Sequence, residues 1–124
     1  MPDPSTANGT AGGPVDASTH NAMCRGWISA QPSHLFVAQT AFGNLRVMAH
    51  ASGENEDLTI VIRKPDGTYL CGDDSAEGFD PLVNGPFPPG TYQIWVGSYA
   101  PNTTINYRIG LSELESVTPG GLGS

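Results

Sequence analysis

Positive charge is scarce in this sequence. Five Lys and Arg stand against twelve Asp and Glu, a formal net charge of −7. A phosphate backbone or an anionic membrane surface calls for clustered cations, so nucleic acid is excluded as a natural partner. No apolar run is long enough to span a bilayer, which excludes membrane insertion through a helix. Long amphipathic helices are missing as well: no window of about eleven residues keeps apolar positions at helical spacing without a Gly or Pro. Cysteine is limited to Cys24 and Cys71. Two cysteines cannot complete a zinc site, and their spacing is not that of a redox pair. No HExxH motif and no nucleophile elbow occurs, and His20, His34 and His50 are scattered. His50 with Glu54 or Asp57 would be the only conceivable acid/base pair, and a solvent-facing strand histidine is the plainer reading. The chain is therefore not expected to be an enzyme on its own.

What is abundant is turn chemistry. With 16 Gly and 11 Pro in 124 residues, the composition suits short strands joined by many turns, in a single domain. Residues 1–19 and 116–124 are rich in Gly, Pro, Ser and Thr and read as flexible linkers around a domain at 20–115. No apolar leader follows Met1, which leaves a cytosolic protein or a module cut from a longer exported precursor. The linker-like ends and paired cysteines favour the module, with a neighbouring domain as its partner.

Between the ends, hydrophobicity alternates with period two. Strands are expected at His34–Thr40, Asn44–Ala51, Leu58–Arg63, Thr68–Cys71, Thr91–Gly97 and Asn106–Ser112, with a weaker one near Met23–Ile28. Leu45, Val47, Ala49 and Ala51 share one face of their strand. Leu58, Ile60 and Ile62 do so on the next, as do Tyr92, Ile94 and Val96, and then Tyr107, Ile109 and Leu111. Gly43-Asn44 and Pro65-Asp66-Gly67 supply turns, and Pro86, Pro88, Pro89 and Gly90 break the chain. Six or more such strands predict an all-β protein of two packed antiparallel sheets, a β-sandwich, with a barrel as the alternative.

The two cysteines are either reduced core residues or a disulfide between the first strand and the segment after the fourth. An exported module favours the disulfide. Eight of the twelve acids lie between Glu54 and Asp80. Such a cluster repels itself unless a cation sits within it. Asp57, Asp73, Asp74 and Asp80 are the candidate ligands, and calcium, which takes six to eight oxygens, is the candidate cation. The alternative for Asp73 and Asp74 is turn capping. Among the aromatics Trp27, Tyr69, Phe79, Trp95 and Tyr99, the pair Trp95 and Tyr99 is the candidate binding platform. Trp95 alternates with Ile94 and Val96 and points away from their face. It binds a ligand there if that face is open, and is core if it is covered.

The segments Asp57-Leu58-Thr59-Ile60, Pro65-Asp66-Gly67, Cys71-Gly72-Asp73-Asp74 and Gly90-Thr91-Tyr92-Gln93-Ile94-Trp95-Val96-Gly97 occur in an order that is itself informative. Followed by Tyr107-Arg108-Ile109-Gly110-Leu111, they resemble the bacterial pre-peptidase C-terminal domain family over roughly 34–113. That resemblance implies a noncatalytic jelly-roll-like sandwich appended to a secreted enzyme, commonly a peptidase. It also implies binding of collagen or other polymers and, in some members, of calcium. Their calcium ligands come partly from an acidic segment before the domain, where this chain has only Asp3 and Asp16. The leading expectation is a secreted, periplasmic or cell-surface accessory module aiding stability, secretion or substrate adhesion. The alternatives are a calcium-dependent carbohydrate- or protein-binding module and a self-assembling structural subunit.

Overall fold

In a computed structural model the chain is an all-β sandwich, and the structure describes residues 5–20, 24–51, 57–72, 81–100 and 103–112. Ten strands are present among these: β1 (Ser5–Ala11), β2 (Val15–Asp16), β3 (Trp27–Ile28), β4 (His34–Ala38), β5 (Phe42–Ala51), β6 (Leu58–Arg63), β7 (Tyr69–Gly72), β8 (Leu82–Phe87), β9 (Gly90–Ser98) and β10 (Ile105–Ser112). One sheet has the order β1-β10-β5-β8. The other runs β2-β3-β9-β6-β7, with β4 also paired to β9, and all pairings are antiparallel.

The main core lies between the sheets and is built from the alternating sets expected from sequence. Leu45, Val47, Ala49 and Ala51 from β5 meet Leu58, Ile60 and Ile62 from β6. Tyr92, Ile94 and Val96 from β9 pack with Tyr107, Ile109 and Leu111 from β10. Because strand side chains alternate, the intervening residues of β6 and β9 must point to the other face of their sheet. There Val61 and Trp95 form a second, smaller core with Ala17, Cys24 and Ile28. The cover is a strap made of β2, a single 3-10 turn at Ala17–Thr19, and the residues leading into β3. Asp16 caps that turn, its Oδ1 accepting from the Ser18 amide at 3.0 Å and hydroxyl at 2.8 Å. Those hydrogen bonds hold its carboxyl below the usual carboxylate range, the Ser18 hydroxyl contributing most.

Three sequence expectations need correction. The linker assigned to 1–19 is wrong for Ser5–Asp16. Its Ser, Thr, Ala and Gly give little hydrophobic signal, yet β1 pairs with β10 over seven residues. The stretch behaves as an edge strand, with Ala11 buried, Gly9 half-buried and Thr6, Ala7, Asn8 and Thr10 exposed. Gly43-Asn44 is not a turn. Both lie within β5, which has a register shift between Phe42 and Leu45, and β4 and β5 belong to different sheets. The Pro-rich break hides β8. Pro86 is tolerated because β8 is an edge strand and ends one residue later. The tail at 116–124 lies outside the described residues.

The turn between β6 and β7 is as expected. Gly67 adopts φ 89°, its amide donates to the Lys64 carbonyl at 2.9 Å, and Lys64 N–H donates to Thr68 O at 2.8 Å. The Asp66 carboxylate accepts from both the amide and the hydroxyl of Thr68, at 3.0 and 2.6 Å.

Candidate functional site

Cys24 and Cys71 are joined by a disulfide with a Cα–Cα distance of 5.2 Å. It ties the strap to β7, directly beside the second core. By the loop-entropy argument a bridge spanning 47 residues stabilises by roughly 4 kcal/mol.

The strap decides the fate of Trp95. Its side chain is only 4% exposed, and the ring of His20 lies 5.4 Å from it, with Tyr69 6.0 Å from His20. The expected binding platform at Trp95 is therefore closed, and Trp95 is core. Its indole Nε1 is buried without a hydrogen-bond partner among the described residues. Tyr99 stands alone at 51% exposure, just beyond β9, with its amide donating to the Asp57 carbonyl at 3.0 Å. The structure does not bring Trp95 and Tyr99 together into one surface: one is sealed and the other exposed.

Of the four expected metal ligands only Asp57 is among the described residues, half-buried at the start of β6. Asp73, Asp74 and Asp80 lie outside them. No group of three or more His, Cys, Asp or Glu placed to hold a metal ion occurs among the described residues. Those residues alone do not make a calcium site, which takes six or more oxygens.

The strap covers only half of its sheet's outer face. Across the other half the registers place Leu35 opposite Gln93, Gln93 opposite Arg63, and Val37 opposite Thr91. Here the alternation of β4 sends Phe36 and Ala38 into the core and leaves Leu35 and Val37 outward, 66% and 60% exposed. Beside them a shallow depression of about 280 Å³ is lined by Arg63, Lys64, Pro65, Thr91 and Gln93. An aliphatic patch next to paired cations is an unusual feature on a protein of net charge −7. Sequence reasoning passed over it, although two signals were legible. His34 to Ala38 is apolar on both alternating faces, and Arg63-Lys64 is the one doublet of basic residues in the chain.

A second concavity, of about 150 Å³, opens between the edge strands β1 and β4. Its lining includes Thr6, Ala7, Phe36 and Ile109, with His34 at its polar end. The Nε2 of His34 lies 2.8 Å from the Tyr107 hydroxyl, which joins the two sheets. Burial pushes the His34 imidazolium toward its neutral form, lowering its pKa. Burial likewise raises the Tyr107 phenol, partly offset by the Ser33 side chain.

The chain is similar in structure to the pre-peptidase C-terminal domain of a collagenase from Bacillus anthracis. That domain aligns with 88% of this chain and 89% of its own, at a TM-score of 0.57 and 18% identity. The chain has the fold of a pre-peptidase C-terminal domain. Sequence comparison is silent at this distance: no protein-family model and no curated protein matches the chain. No helix among the described residues is long and apolar enough to cross a membrane.

Proposed function

We propose that this chain is a noncatalytic accessory module of an extracellular protein, and that it holds a neighbouring domain against a polymeric or proteinaceous substrate. The observation that carries this reading is the open half-face, where Leu35 and Val37 stay exposed on the outer side of the sheet. Two large aliphatic side chains exposed side by side on one strand cost solubility, and an interaction offsets that cost. The fold supports it, since the comparable domain comes from a collagenase. The disulfide supports a location in an oxidising compartment.

Co-sedimentation tests the reading. The purified chain is mixed with reconstituted collagen fibrils, chitin, cellulose and peptidoglycan. The expected outcome is saturable retention on at least one polymer, with no release of soluble fragments. Retention on none, or turnover of a bound polymer, would contradict it.

A further inference from the structure

The depression on the open half-face has a chemistry more specific than adhesion. Two of the chain's five basic residues meet there, in a molecule of net charge −7. Arg63 is exposed and Lys64 half-buried. The nearest carboxylate by sequence, Asp66, is turned to the amide and hydroxyl of Thr68, and Lys64 contributes less than those bonds to keeping it ionised. The lining of the depression therefore combines Arg63 and Lys64 with Thr91 and Gln93. A carboxylate fits that donor set, since Arg bonds it through two parallel N–H groups while Lys supplies charge.

What lies beside the cations selects among carboxylate carriers. Leu35 and Val37 stand one strand away from Gln93 and Thr91, about 4.8 Å across the sheet. These are aliphatic, not aromatic. Tyr69, which pairs with Arg63, packs into the strap cluster beside His20. A stacking plane for a sugar ring is thus missing from the open half among the described residues, whereas an aliphatic side chain has a place to lie. Leu35 and Arg63 lie two strand spacings apart, about 10 Å. In an extended peptide residues i and i+2 share a face about 7 Å apart, so an aliphatic side chain on Leu35 leaves the remaining reach to the long Glu and Arg side chains.

We propose that this half-face binds an extended acidic polypeptide segment, its carboxylate held by Arg63 and Lys64 and its neighbouring aliphatic side chain against Leu35 and Val37. The proposal rests on the adhesive reading above and names the chemistry of the partner.

The test is an amide-resolved NMR titration with the blocked peptide Ser-Leu-Thr-Glu-Thr-Leu-Ser. Its Gln counterpart and heparin serve as comparison ligands. The expected shifts gather on Leu35, Val37, Arg63, Thr91 and Gln93. The Gln peptide should bind about five-fold more weakly, and raising salt from about 0.05 M to about 0.3 M should weaken the Glu peptide. Arg63→Ala with Lys64→Ala should abolish the shifts while leaving the rest of the spectrum in place. Equal affinity for the Glu and Gln peptides, shifts elsewhere, or a response to heparin alone would overturn it. Retention on polymers without peptide binding would sink this proposal and leave the accessory reading standing. Peptide binding without polymer retention would do the reverse.

Discussion

His34 is one of the few titratable side chains set between the sheets, and it makes the sandwich sensitive to mild acid. Its pKa is depressed in the folded state by burial, so the unfolded chain takes up the proton first as pH falls. The stability it allows is complete above its unfolded pKa of about 6.5 and declines as pH falls toward the lower folded value. Around the ring, Tyr107 from β10 is the titratable neighbour, while β1 and β9 offer Thr6, Ala7 and Ile94. Melting temperature should drop by a few degrees between about pH 7 and pH 5, and His34→Gln should flatten that slope. An unchanged slope in the variant would assign the effect elsewhere. Gly97 offers a steric test. A Cβ there would stand 2.7 Å from the Thr59 hydroxyl and 2.8 Å from both Ile28 and the Trp27 carbonyl. Gly97→Ala should cost about 1–3 kcal/mol by overpacking, read from urea unfolding. Gly43→Ala, which meets nothing within 4 Å, should be close to neutral.

At the scale of elements, β1 and the strap separate what the sequence discloses from what it conceals. The inward sets of β5, β6, β9 and β10 were legible because Val, Ile, Leu and Tyr recur every second residue. β1 was not, since Ser-Thr-Ala-Asn-Gly-Thr-Ala has the composition of a linker. Its strand state comes from β10, whose edge it covers, and local propensity has little say where a neighbour supplies the ladder. Deleting residues 1–13 should therefore lower the melting temperature by more than about 10 °C, where loss of a true linker would leave it unchanged. The disulfide gives the complementary test. The cysteine pairing was readable from count and context, but the burial of Trp95 was not, because alternation gives a face and not what lies over it. Replacing Cys24 and Cys71 by Ser should cost roughly 4 kcal/mol in unfolding free energy. The strap should loosen first, seen as a red shift of indole emission before global unfolding.

For the whole molecule, the sandwich is asymmetric in a way that bears on its work. One outer face is polar along the row of Asn8, Arg108 and His50, with Met48 buried beside that row. The other is half sealed by the strap and half open around Leu35, Val37 and Arg63. The frame is that of a fold shared at 18% identity. The most direct measurement is a co-sedimentation isotherm on the polymer that retains the chain best. It compares the parent with Leu35→Ser/Val37→Ser and with Thr10→Ala/Asn84→Ala on the polar face, each first shown to melt cooperatively. Loss of retention in the first variant and parent-like retention in the second is the predicted result. Equal retention by all three would contradict the assignment of function to this face.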